Sequence, residues 1–195
     1  MDKFPKRKLT RLKKYDYSQT GYYFVTICTQ NRKEIFASIK NNQIILNEFG
    51  RIVKKSWLQI PEHFKNIELD KYIIMPNHIH TIINIVGAGS PRPLKNHDND
   101  DNKIIGYSIG RGNLAPTKLG QVMAFFKYQT TKQINKLQNR PGIKIWQRRY
   151  HDHIIRNDKS LNRIREYIDN NPKTWDNDIE NPIRLGAIES ELINV

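Results

Sequence analysis

Residues 67–86 read IELDKYIIMPNHIHTIINIV, two β-branched runs on either side of Pro76 and Asn77. Ile67, Leu69, Ile73 and Ile74 supply the apolar character of residues 67–75; Ile79, Ile82, Ile83, Ile85 and Val86 supply that of residues 78–86. Both runs read as strands, with Pro-Asn as the break between them. Successive strand side chains point to opposite faces, so His78 and His80 project together while Ile79 enters the core. Two neutral imidazoles at adjacent same-face positions converge as metal ligands do, without further folding of the backbone. A lone His-x-His pair on a strand also occurs as a surface or hydrogen-bonded pair, and at this stage both readings stand.

Outward from this stretch the periodicity assigns the remaining elements. Residues 22–29 (YYFVTICT) are β-branched and aromatic and read as a first strand. Residues 47–59 follow as a helix capped by Asn47, with Phe49, Ile52, Val53 and Trp57 at helical spacing before Pro61. After the two strands around Pro76, residues 87–118 hold Pro91, Pro93, Pro116 and the acidic run from Asp98 to Asp101, and read as a surface insertion. Its Gly106, Gly110 and Gly112 lack a leading strand, so they read as loop rather than a phosphate cradle. Residues 119–137 form a long amphipathic helix with Leu119, Val122, Met123, Phe126, Ile134 and Leu137 on its apolar side, ended by Pro141-Gly142. Residues 143–155 read as a strand bent or bulged around 148–150. Asp158 then caps a helix through Leu161, Ile164, Tyr167 and Ile168, which Pro172 stops. Up to the fourth strand the order is βαββαβ, the arrangement of an α+β, ferredoxin-like antiparallel sheet with helices on one face. The additional C-terminal helix is free to approach the other.

The 33 Lys and Arg against 19 Asp and Glu give a formal charge of 33 − 19 = +14, a balance suited to a phosphate backbone. The charge is clustered. Lys3, Lys6, Arg7, Lys8, Arg11, Lys13 and Lys14 crowd the first 14 residues, within a basic arm taken as residues 1–20. Arg148, Arg149 and Arg156 form a second group interleaved with Trp146 and Tyr150, offering charge and stacking surface to unpaired bases. Pairing with acids along the strand is the competing role for each of these arginines. No apolar run is long enough for a membrane span, no secretory pattern opens the chain, and the single Cys28 has no intrachain disulfide partner. The expected setting is the cytoplasm, on the nucleoid.

On the last helix Tyr167 and Asn171 lie four positions apart, which puts phenol and amide on one face. Two readings are open. Tyr167 packs on the sheet and Asn171 ends the helix before Pro172, or the pair does chemistry, one attacking while the other helps to hold a metal.

Three segments bear on this choice jointly: Met75-Pro76-Asn77-His78-Ile79-His80, the run WQRRYHDHIIR beginning at Trp146, and Glu166-Tyr167-Ile168-Asp169-Asn170-Asn171-Pro172. In this order they closely resemble the REP-associated tyrosine transposases, a branch of the single-tyrosine HUH transposases, from about residue 22 to 172. The resemblance implies that residues 21–175 are the catalytic domain, with 176–195 as a tail. It implies His78, His80 and Asn171 as ligands of Mg²⁺ or Mn²⁺ and Tyr167 as nucleophile. It further implies a partner, single-stranded DNA bearing a short hairpin, that is nicked and rejoined through a 5′-phosphotyrosine, the protein acting as monomer or homodimer. The insertion at 87–118 is longer than in compact members. The basic arm, Arg148, Arg149 and Arg156 are expected to meet the DNA. A catalytically silent hairpin-binding protein and a nuclease that uses activated water are the competing functions.

Overall fold

A computed structural model describes residues 15–87, 118–178 and 180–181. The basic positions Lys6, Arg7, Lys8, Arg11, Lys13 and Lys14 lie outside the described residues, as does all of the 87–118 insertion except Gly87 and Lys118.

Four strands make one sheet: β1 (Gly21–Cys28), β4 (Ile67–Ile74), β5 (His78–Ile85) and β6 (His151–Ile155), in spatial order β4-β5-β1-β6. Every neighbouring pair is antiparallel. Cys28 lies opposite His78, Thr26 opposite both His80 and His151, and Phe24 opposite both Ile82 and His153. Residues opposite one another in an antiparallel pair share a face, so this register alone places His78, His80, Thr26, His151 and His153 on one side of the sheet.

The other side carries the main core. Tyr23, Val25 and Ile27 from β1 and Ile79, Ile83 and Ile85 from β5 are buried there against α1 (Glu48–Leu58) and α3 (Lys118–Leu137). Trp57 of α1 meets Phe126 of α3 edge to face at a centroid distance of 5.1 Å. Leu119, Val122, Met123, Phe126 and Ile134 of α3 are buried as their spacing predicts, but Leu137, the last residue of the helix, is exposed.

Asn47 caps α1 as the sequence indicates, its Oδ1 accepting from the Gly50 amide at 3.0 Å while its Nδ2 donates to the Ile35 carbonyl. A Cβ on Gly50 would stand 2.2 Å from the Phe36 carbonyl oxygen, so only glycine lets the helix approach this closely. A short helix, α2 (Ile60–His63), with Pro61 in its first turn, continues from α1 to β4.

The structure adds one hairpin and corrects two local expectations. The sequence reading passed over a hairpin, β2 (Ala37–Lys40) and β3 (Gln43–Leu46), whose two-residue loop is Asn41-Asn42 with φ of 50° and 60°. Asparagine tolerates the left-handed region such a turn needs, so the signal was present in the dipeptide. The strand expected over 143–155 is paired only from His151 onward, apart from a single bridge between Thr29 and Trp146. Helix α4 (Asp158–Asn170) is capped by Asn157, whose side chain accepts from the Ser160 amide, rather than by Asp158. Asp158 instead begins the first turn, where a carboxylate favours the helix dipole.

Helix α4 lies on the histidine side of the sheet. Its Leu161 and Ile168 join Ile82 and Ile155 in a small second core. Two ion pairs tie it to β4 at the register shift between Leu69 and Tyr72. Arg165 grips Asp70 through two nitrogens, at 2.9 and 2.5 Å, and Lys71 meets Asp169 at 2.9 Å. The Arg165 guanidinium beside Asp70 holds that carboxyl below its usual range. The irregularity thus turns two strand side chains toward the helix that carries Tyr167.

Candidate metal and tyrosine site

The site forms where the first residues of β5 meet the last turn of α4. His78 and His80 are both buried, their rings 4.4 Å apart between centroids. Nδ1 of His78 lies 2.8 Å from Oδ1 of Asn77, an atom that can only accept, so Nδ1 carries the proton and Nε2 keeps its lone pair. That Nε2 is buried without a partner. Nδ1 of His80 lies 2.8 Å from the Thr26 hydroxyl and Nε2 lies 3.2 Å from the Tyr167 hydroxyl. Donation from Nδ1 to Thr26 leaves Nε2 to accept from the phenol.

Both imidazoles are held neutral, the ligand form. Burial pushes His78 down to about 3, with help from the Arg32 guanidinium. Burial also drives His80 well below the ordinary value, followed by the neighbouring His78 and opposed by the Asp178 carboxylate. Tyr167 is 44% exposed, yet its phenol is raised to about 12. Partial burial is the main cause, Asp178 adds to it, and the Asn171 amide opposes it. The tyrosine ring lies edge-on to Phe24 and against His80, which fixes its direction.

Asn171 closes α4, its backbone N–H bonding to the Ile168 carbonyl, and opens a 3-10 turn over Asn171–Asn177 that contains Pro172. Its side chain is buried, Nδ2 donating to Oδ2 of Asp178 at 3.0 Å while Oδ1 has no partner. The turn brings the chain back over the site. Asp178 Oδ1 accepts from the Glu180 amide at 2.7 Å, and Glu180 pairs with Arg32, accepts at Oε2 from the Cys28 thiol, and offers its carbonyl to Nδ2 of Asn77 at 2.7 Å. One ligand atom each from His78, His80 and Asp178 lie within 4.8 Å of one another. A set of two neutral imidazoles, a carboxylate and an amide oxygen, two of these donor atoms buried and unsatisfied, fits a divalent cation.

Sequence reasoning named His78, His80, Tyr167 and Asn171, and these come together. It missed Thr26, Asn77, Asp178 and Glu180. Asn77 was quoted as part of Met-Pro-Asn but read only as a strand break. Asp178 and Glu180 fall in the stretch read only as a C-terminal tail, and no local pattern in the sequence marks them. Cys28 is buried and its thiol pushed up to about 12 by burial and by Glu180, so it is no nucleophile at neutral pH.

Arg148, Arg149 and Arg156 are exposed at the β6 edge. The Lys127 ammonium, lowered to about 8 by burial, donates to the carbonyls of Gln147 at 2.9 Å and Arg149 at 3.2 Å and so pins the arginine turn. Trp146 is not a stacking surface for bases. It is buried between Phe36 and Phe126, and its indole N–H donates to the Thr130 hydroxyl at 2.8 Å.

The architecture matches a solved REP-associated tyrosine transposase bound to a REP hairpin, with a TM-score of 0.53 over 86% of this chain and 74% of that one. At 18% identity the likeness shows a shared fold. No protein-family model matches the chain. An uncharacterised protein of Haemophilus influenzae is 37% identical over 172 residues, 88% of this chain and 91% of its own length. A second Haemophilus influenzae protein, provisionally named a REP-associated tyrosine transposase, is 30% identical over 165 residues, 80% of this chain and 73% of its own. The chain belongs to the family of REP-associated tyrosine transposases.

Proposed function

We propose that this transposase nicks and rejoins single-stranded DNA next to short hairpins, with Tyr167 as nucleophile. The observation that carries the reading is the 3.2 Å contact between the Tyr167 hydroxyl and His80, which sets a half-exposed phenol against two buried neutral imidazoles. The strand order β4-β5-β1-β6 supports reading the sheet as ferredoxin-like, with α4 as the added helix that brings the nucleophile.

His78, His80 and Asn171 would hold a divalent ion, Mg²⁺ or Mn²⁺, which when bound supplies positive charge against a non-bridging phosphate oxygen. The chain's own residues do the rest. Oη of Tyr167 attacks phosphorus and the bond from phosphorus to the 3′ oxygen breaks. The phenol proton leaves to solvent and the 3′ oxygen takes one up, so a phosphotyrosine remains on the 5′ side and a free 3′-OH on the other. The ester keeps the bond energy, and the 3′-OH of another strand reverses the step. His80 orients the phenol, and its single Nε2 lone pair serves either the phenol or a cation.

The phenol lifted to about 12 is mostly protonated at neutral pH, so attack is coupled to loss of that proton. Exposed Arg148, Arg149 and Arg156 supply phosphate contacts beside the site, and the basic arm supplies more. The hairpin that the solved relative holds is the substrate class read for this chain.

The test is incubation of the full chain with hairpin-bearing single-stranded DNA and Mn²⁺, followed by denaturing electrophoresis. A protein-linked DNA that vanishes in Tyr167→Phe is expected; an undiminished adduct in that variant overturns the assignment of the nucleophile. Hairpin binding without cleavage in any divalent metal is the outcome that supports the binding-module reading instead.

A further inference from the structure

We propose that Asp178 is a direct ligand of the divalent ion, so that the strap following α4 completes a site begun by β5. This rests on the metal reading above and deepens it. The resemblance that named His78, His80 and Asn171 did not include Asp178, and its position in the sequence does not suggest a ligand.

Three observations carry it. The first is proximity: a carboxylate oxygen of Asp178 and one nitrogen each of His78 and His80 lie within 4.8 Å of one another, and all three residues are buried. Ligand atoms bound to one ion stand a few ångströms apart, so this spacing is close to what a shared cation needs. The second is orphaned coordination capacity. His78 Nε2 and Asn171 Oδ1 are buried without a partner, a costly state that an ion would relieve.

The third is how Asp178 is held. Asn171 donates to its Oδ2 and the Glu180 amide to its Oδ1, while Glu180 is itself anchored to Arg32 and Asn77. A carboxylate fixed from both sides, with hydrogen bonds that leave further lone pairs on each oxygen, is what supporting residues around a metal ligand provide. Among the described residues no lysine or arginine pairs with Asp178 at ion-pair distance. Its negative charge therefore stands in a pocket of neutral imidazoles, where a cation would offset it.

The chemistry follows from the donor set. Two imidazoles and an amide are neutral and leave a divalent ion its full double charge. Adding one carboxylate lowers the net charge to one and supplies a hard oxygen ligand suited to Mg²⁺ or Mn²⁺. Asn171 then has two tasks, as a ligand through Oδ1 and as the donor that aims Asp178 through Nδ2.

The experiment titrates Mn²⁺ into the full chain without DNA and follows the free-ion paramagnetic resonance signal. Wild type is expected to bind, and Asp178→Asn, which keeps size and shape, is expected to bind at least about tenfold more weakly. Unchanged or tighter binding in Asp178→Asn overturns the assignment of Asp178 alone. Absence of Mn²⁺ binding by wild type overturns the metal reading with it, so the two failures are distinguishable. Melting in EDTA checks the fold of the variant. Asp178→Cys loaded with Co²⁺ gives a second readout, because a thiolate bound to cobalt adds a charge-transfer absorption. That band is expected in Asp178→Cys and not in wild type, whose Cys28 is the baseline; its absence overturns the proposal.

Discussion

The two faces of the sheet are built on opposite principles. The face toward α1 and α3 is filled by isoleucine, valine and large aromatics, including the fully buried Trp57, Phe36 and Phe126. Among the described residues, the face toward α4 buries four hydrophobics together, Ile82, Ile155, Leu161 and Ile168. Beside them it buries His78, His80, Thr26, Asn171 and Asp178. One strand serves both. Along β5, Ile79 and Ile83 supply the core while His78 and His80 supply the site, and the period of two keeps them apart. The difference teaches that stability and chemistry are separated by alternation rather than by domain: the packed face fixes the strand so that the polar face can be held unsatisfied.

The sharpest way to break this contrast is to truncate each face. Trp57→Ala is expected to cost about 3–5 kcal/mol, because it removes a large ring from a filled core. Ile168→Ala is expected to cost about 2 kcal/mol, the low end for an isoleucine, since its cluster is small and close to solvent. Chemical denaturation of the two variants measures both. A loss in Ile168→Ala equal to that in Trp57→Ala would mean that the α4 face carries as much of the fold as the other.

Acid offers a second comparison. His78 and His80 are neutral in the fold but take up protons in the unfolded chain below about pH 6.5. Since His78 is depressed to about 3 and His80 well below its ordinary value, the unfolded state binds more protons between about pH 6.5 and 3. Stability from this pair is therefore complete above about pH 6.5 and is lost as pH falls through that window. Hydrogen exchange of metal-free protein at pH 7.5 and pH 5 should show α4 loosening before α1 and α3, which have no such pair beneath them. Equal protection loss in all three helices would contradict the separation of faces.

The smallest expected effect concerns the latch between β4 and α4. Asp70→Asn weakens the grip of Arg165, and because Arg165 is partly exposed the cost is about 1 kcal/mol. The melting temperature falls slightly, while amide exchange rises in α4 and not in α1. A rise shared by both helices would show that the ion pair does not act locally.

Much of the fold was legible because its signals are local. The Asn47 cap, the strands around Pro76, the apolar stripe of α3 and the four-residue step from Tyr167 to Asn171 each depend on neighbours within a turn or two. The misreadings arose where one local signal serves two structures. Trp146 beside arginines reads as a stacking surface or as core, and only its burial between Phe36 and Phe126 decides. The Asn41-Asn42 turn lies between strands too short and too evenly mixed to stand out. Asn157 and Asp158 are both good caps, and one residue of helix phase chooses between them.

By itself the sequence determined that His78 and His80 share a face and that Tyr167 and Asn171 share another, since backbone periodicity sets both. Tertiary structure alone decided that these faces meet, that Thr26 sets the ring nitrogens of His80, and that the strap with Asp178 returns across the site, where Arg32 and Asn77 hold Glu180. The reason is physical: those contacts join segments far apart in the chain, and no local preference encodes them until packing of α4 on the sheet turns the backbone at Pro172 and brings the strap home.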